Sequence, residues 1–228
     1  MTDFAEEAGF DPAHAAIAAV ARGEFVVVVD DLDRENEGDL IIAADTITQE
    51  QMAFLVRHSS GVVCVALHGE RLDELALPLM VARNTEAQGT AFTVTVDYRH
   101  GTSTGISAAD RAATLRALAN PEALADDFSR PGHIFPLRYR EGGVLARPGH
   151  TEAALDLAQL AGHYPAGVLC EIVNDDGSMA RRPDLLRFAR QHQLTIITIS
   201  ALIAYRQQHA PARPATARRS LSVPVAVS

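Results

Sequence analysis

Tryptophan is missing from this 228-residue chain, aromatic residues make up only 5% of it, and cysteine occurs twice. Cys64 and Cys170 lie far apart, each inside an apolar run. They offer neither a disulfide framework nor a C-x-x-C ligand pair, so buried, reduced thiols are expected. No stretch approaches the roughly 18 consecutive apolar residues that a membrane span needs. The opening M-T-D-F-A-E-E-A is acidic where a signal peptide is basic, so a cytoplasmic location and no membrane contact are expected. Basic residues are also in deficit: 20 Lys and Arg against 29 Asp and Glu give a formal charge of -9. With the two signs interspersed along most of the chain, this argues against a nucleic-acid partner and for a small molecule. What remains is an ordinary globular composition, 47% hydrophobic, long enough for one full-sized core.

Apolar runs alternate with amphipathic patterns over most of the length, the mark of a sheet with helices packed on it. Helices are expected over 12–22, 48–59, 108–119, 152–162, 183–192 and 200–208. Strands are expected over 25–29, 40–44, 62–67, 92–96, 134–138, 168–173 and 195–199. Thr48 with Gln51 resembles a capping box, and so does Ser107 with Asp110. Two strands follow each other directly at 25–44, so a mixed sheet fits better than a doubly wound parallel one. Residues 1–208 read as one domain. Residues 209–228 carry three prolines, a basic cluster and no sustained period, and read as a flexible tail.

The most chemically loaded segment is Asp30 to Asp39, D-D-L-D-R-E-N-E-G-D, between two apolar runs. Six carboxylates on one loop repel each other unless cations, hydrogen-bond donors or solvent absorb the charge, which points to a divalent metal. An EF-hand is excluded by spacing, because counting from Asp31 the sixth residue is Asn36 and the twelfth is Ile42. Arg34 adds a fork suited to a carboxylate, phosphate or sugar oxygen. A solvated acidic hairpin is the plain alternative.

A second loop, H-G-T-S-T-G-I-S at His100 to Ser107, places hydroxyls and glycines before a helix, as an anion cradle does. It also satisfies G-x-S-x-G with Ser103 central, so a serine hydrolase is a rival reading, with Asp126 or Asp127 and His133 or His150 completing a triad. R-P-G-H occurs twice, at Arg130 to His133 and Arg147 to His150. Each copy joins a charge, a permissive backbone and an imidazole able to ligate a metal or move protons. In the second copy, Thr151 is placed to cap a helix opening at Glu152. Glu171 interrupts the apolar run V-L-C-E-I-V, where a carboxylate needs a partner, a proton or a function. His58, His163 and His192 read as structural.

Taken in order, D-x-D-R-E-N-E-G-D, H-G-T-S-T-G-I-S-A-A-D-R, R-P-G-H-I-F-P-L, R-P-G-H-T-E-A and G-V-L-C-E-I-V-N-D-D-G-x-M resemble the 3,4-dihydroxy-2-butanone 4-phosphate synthases of riboflavin biosynthesis. The resemblance runs from about Phe25 to Arg206. It implies an α+β fold, a three-layer α/β/α sandwich on a mixed sheet. It also implies a homodimer with sites near the interface, and a lyase converting ribulose 5-phosphate to the four-carbon ketone phosphate and formate through an enediolate stabilised by Mg2+ or Mn2+. Carried over by residue, Glu35 and His150 become metal ligands and Arg34 and Asp39 contact substrate. Arg147, Pro148, Gly149, His150 and Thr151 hold the phosphosugar with Thr104, and His133 and Glu171 serve catalysis, Glu171 also touching substrate. Asp30 and Cys64 fall at positions that line such sites. Leu32 departs from a slot that is often acidic, and Pro148 removes one N–H from the phosphate loop that the resemblance implies. With no cysteine cluster after the last motif, the monofunctional form is the one resembled. A module that binds phosphosugar and metal without turnover is the non-enzyme alternative.

Overall fold

The computed structural model describes residues 9–209. Seven strands form one sheet in the order β4-β5-β3-β6-β2-β1-β7. They are β1 (Val26–Val29), β2 (Gly38–Ala43), β3 (Cys64–Leu67), β4 (Val96–Tyr98), β5 (Phe128–Arg138), β6 (Ala166–Glu171) and β7 (Thr195–Thr198). The β1/β7 and β3/β5 pairs are parallel and the other four antiparallel. The sheet is therefore mixed, as expected.

Strand alternation divides the core into two clusters. Val27, Val29, Leu40, Ile42, Val65, Val168 and Cys170 face α2 (Gln49–His58), α4 (Ala108–Leu118) and α6 (Arg182–His192). Val26, Val28, Ile41, Ala43, Cys64, Ala66 and Leu169 face α1 (Ala13–Ala21), α5 (His150–Leu160) and α7 (Ile199–His209). Helices on both faces make the three layers. Thr48 forms the expected capping box with Gln51, and the Ser107 hydroxyl accepts from the Asp110 amide.

Two placements position the site. The β2/β6 register sets Asp39 directly opposite Glu171, on the α5 face of the sheet. Gly167 on β6 lets α5 lie close on that face, since a side chain there would overlap the backbone of Ala154. The N-terminus of α5 is thereby held over the β2 end that carries Asp39.

Four expectations change. Strand β4 begins at Val96, and residues 92 and 93 form only isolated bridges, Phe92 to Leu137 and Thr93 to Leu79. Arg130 to His133 read as a loop but lies inside β5, where pairing with β4 shifts register between Val96 and Asp97. A short helix, α3 (Gly69–Glu74), was missed because six residues are too few to show a period. His209 closes α7 and so does not open the tail, whose remaining residues 210–228 lie outside the described residues.

Candidate functional site

At the end of the sheet where the β1–β2 connection meets the start of α5, an open cleft encloses about 640 Å³, continuous with solvent. Its first wall is the acidic loop. Asp30 is buried and organises that loop: Oδ2 accepts from Arg34 Nη1 and from the Glu35 amide, both at 3.0 Å, and Oδ1 accepts from the Glu37 amide at 2.9 Å. Arg34 Nη1 also reaches Glu35 Oε2 at 2.6 Å. From outside, Arg181 donates to the main-chain carbonyls of Glu35, at 2.9 Å, and of Asn36. The Arg34 and Arg181 guanidinium groups and the backbone amides of Glu35 and Glu37 thus absorb the crowded charge, leaving Glu35 turned inward.

The second wall is the N-terminus of α5. His150 is buried, its Nε2 lies 3.2 Å from the Val28 carbonyl, and its Nδ1 lies 3.4 Å from Glu35 Oε2 and 3.8 Å from Asp39 Oδ1. The Val28 bond fixes Nε2 as donor and presents Nδ1 to the acids. Ligand atoms of Asp30, Glu35 and His150 lie within 4.8 Å of one another, the one such cluster among the described residues. Asp39, 2% exposed, leaves its Oδ1 without any hydrogen bond. A buried carboxylate oxygen without a donor, beside two carboxylates and an imidazole, fits a hard divalent cation.

Electrostatics agree with that fit. The His150 bond, against burial and with the help of Arg34, holds Glu35 down at about 2. Burial pushes Asp39 up to about 8, with the neighbouring acids adding to the rise and His150 opposing it. Burial disfavours charge on His150, but Asp39, Glu35 and Asp30 outweigh it and raise the imidazole to about 9. Burial, with Glu35 and Glu171 close by, also raises Glu37. The cluster therefore stores protons near neutrality that a cation would displace.

The third wall is suited to an anion. Arg147 Nη1 bonds buried Glu152 at 2.7 Å, and Nη2 reaches the Gln88 carbonyl and Thr90 Oγ1, each at 3.2 Å. Gly149 is the N-cap of α5 and has no side chain to occupy the free helical amides. Thr151 lines the cleft as the second residue of the helix, so it is not the cap expected from the sequence. Pro148 joins Arg147 to Gly149 and is not part of the cleft lining. On the floor, Glu171 Oε2 accepts from Ser60 Oγ at 2.6 Å, and Cys64 is a buried thiol that burial raises well above its ordinary value.

The cleft brings together Arg34, Glu35, Asp39, Cys64, Arg147, His150, Thr151 and Glu171, with Asp30 behind them. It also contains residues that sequence reasoning missed: Glu37, Glu86, Thr90 and Phe92 line it, and Ser60, Glu152 and Arg181 hold its groups. Glu152 sits within R-P-G-H-T-E and Glu37 within the acidic run, so both carried a local signal. The others carried none.

His133 and Thr104 are absent from the lining. His133 pairs with Asp97 at 2.6 Å, and Gly105, next to Thr104, packs against the same carboxylate. The two form a second constellation, on the β4–β5 side of the sheet. The hydrolase triad does not form: Ser103 Oγ donates to Asp110 at 2.7 Å, Asp127 pairs with His100, and His133 pairs with Asp97.

Residues 14–205 match the family profile described as 3,4-dihydroxy-2-butanone 4-phosphate synthase. The chain belongs to that family. It is 61% identical over 190 residues to the synthase of Agrobacterium fabrum, covering 83% of this chain and 89% of that one. The synthase of Erwinia tasmaniensis is 57% identical over 192 residues, 84% of this chain and 88% of that one. A synthase crystal structure described as a complex with two magnesium ions superposes with a TM-score of 0.85 at 49% identity, covering 88% of this chain and 98% of that one. The likeness to the family thus extends to the three-layer fold.

Proposed function

We infer that this protein is the lyase of riboflavin biosynthesis that converts D-ribulose 5-phosphate to 3,4-dihydroxy-2-butanone 4-phosphate and formate. The observation that carries the reading is one cleft with a hard-cation donor set on one wall and an anion-binding arginine at a helix N-terminus on the other. A ketose phosphate has both ends such a cleft can hold. Arg147 and the amides of α5 receive the phosphate, while Arg34 and Asp39 meet hydroxyl groups near the cation.

Glu35 and His150 would hold Mg2+ or Mn2+, which a donor set of oxygen with one imidazole accepts. A cation there supplies Lewis-acid stabilisation of the oxyanion that develops when a carbon acid beside the ketone is deprotonated, worth several kcal/mol. Glu171, opposite Asp39 and held by Ser60, is positioned to take or return a proton at a substrate hydroxyl or carbon. Glu152 locks the Arg147 fork so that the phosphate end stays fixed while the carbon skeleton rearranges.

His133 and Thr104 complete the chemistry from a second copy. Both lie outside the cleft of their own chain, and Leu79, Met80, Val81 and Ile106 leave large apolar side chains exposed. A two-fold dimer that covers such apolar surface brings one chain's His133 and Thr104 to its partner's cleft. A cytoplasmic location is part of this reading; no helix among the described residues is long and apolar enough to cross a membrane.

Mixing His133→Ala chains with Glu171→Ala chains tests the shared site. Random two-fold exchange regenerates one intact site in each hybrid, about a quarter of wild-type activity in an equimolar mixture. No recovery would place His133 and Glu171 in the same chain's site. Formate release from ribulose 5-phosphate tests the reaction itself: binding of the sugar phosphate with no formate would favour a non-catalytic module.

A further inference from the structure

The second constellation holds a carboxylate, Asp97, that is no part of the cleft lining and is paired with His133. Asp97 stands at the shift in register between β4 and β5 and grips His133 at two points. The His133 backbone amide donates to Oδ1 at 2.9 Å, and ring Nδ1 meets Oδ2 at 2.6 Å. The carboxylate side chain is 13% exposed and the imidazole 42%, so the acid lies behind the ring and the ring faces out. Close packing keeps the acid there. A side chain at Gly105 would overlap the Asp97 carboxylate, and one at Gly132 would overlap the backbone of Val96 and Asp97. The Gly132 amide is itself tied to Thr95 Oγ1 at 3.0 Å.

An ionised carboxylate accepts hydrogen bonds and cannot donate them, so a neutral imidazole in this grip carries its proton on Nδ1. Nε2 is then left as the basic nitrogen, directed away from Asp97. We propose that Asp97 is a positioning residue: it fixes the orientation and tautomer of His133, making Nε2 the atom that exchanges protons with substrate. This rests on the reading of His133 as a catalytic group. The same logic operates wherever a buried acid orients a catalytic imidazole. A purely structural role would need only the Oδ1 bond to the backbone amide, which holds the irregular stretch of β5 in place.

Asp97→Asn separates the two roles. The amide oxygen can still accept from the His133 backbone, while the amide N–H now faces ring Nδ1 and favours the opposite tautomer. The expected result is a fall in kcat of about 10²- to 10⁴-fold, the usual contribution of a positioned acid–base group. KM for ribulose 5-phosphate and Mn2+ binding should stay near wild type. Asp97→Glu, which restores an acceptor, should recover part of the loss. In nitrogen-15 NMR of the wild-type homodimer, His133 should show a protonated Nδ1 and a bare Nε2, and Asp97→Asn should exchange them. A reversed tautomer with unchanged kcat would overturn the proposal, as would a wild-type His133 that carries its proton on Nε2. His133→Ala distinguishes this from failure of the underlying reading. Full activity in that variant would remove His133 from the chemistry altogether, whereas lost activity there with an unaffected Asp97→Asn would sink the positioning role alone.

Discussion

Asp39→Asn should make the metal-free protein more stable and the enzyme inactive, and the stabilisation should depend on pH in a defined direction. Asp39 is buried, its Oδ1 has no donor, and its pKa rises from the ordinary 3.8 to about 8. Between those values the folded chain holds a proton that the unfolded chain has released. Stability present below about pH 4 is therefore lost as pH rises toward 8. At pH 7 the cost is about 1.36 kcal/mol per unit over the interval above 3.8, or about 4 kcal/mol. Asparagine never ionises and escapes it. The two N–H groups of asparagine need partners that a protonated carboxyl does not, so a net gain of about 2 to 4 kcal/mol is expected, roughly 5 to 15 °C in Tm. The assay is calorimetric melting of both proteins in EDTA from pH 4 to 8, with the two curves converging at pH 4 and separating as pH rises. A variant less stable than wild type at pH 7, or a difference that does not vary with pH, would show that burying Asp39 costs the folded chain nothing.

His150, raised to about 9 by the acids around it, must give up its Nδ1 proton to ligate a cation. Calorimetric titration of Mg2+ or Mn2+ at pH 7.5 in buffers of differing ionisation enthalpy should show about one proton or more released per ion, and no buffer dependence would contradict this. Arg147→Lys loses the fork that spans Glu152 and the 88–90 loop, so KM for ribulose 5-phosphate should rise about tenfold or more with a smaller change in kcat; a kcat-only loss in steady-state kinetics would argue against a binding role. Ser103→Ala removes one hydrogen bond to Asp110 and should lower stability by about 1 kcal/mol while formate production persists; abolished turnover in a folded variant would revive the hydrolase reading.

How much of this was legible beforehand depended on the kind of signal. Strands β1, β2, β3, β6 and β7 are buried along most of their length and read as plain apolar runs. Strand β4 is three residues long and carries Asp97, and the start of β5 carries Arg130, Pro131 and Gly132, a triplet that looks like a turn. There tertiary pairing overrides local chemistry. The acidic loop and the start of α5 each announced themselves by residue type, but their meeting depends on β2 pairing with β6 and on α5 lying over Gly167. The resemblance supplied the individual roles that local chemistry left open. Arg181, Ser60 and Asp97 act by holding other groups, and a holding role has no sequence signature of its own.

Glu35 on the acidic loop and His150 at the head of α5 are the proposed metal ligands of a ribulose 5-phosphate lyase. The decisive measurement is formate release with Mg2+, after EDTA treatment, and in Glu35→Gln. Wild type should produce formate steadily, EDTA should stop production until Mg2+ is added back, and Glu35→Gln should produce none at any Mg2+ concentration. Formate released undiminished in EDTA, or by a folded Glu35→Gln protein, would contradict that assignment.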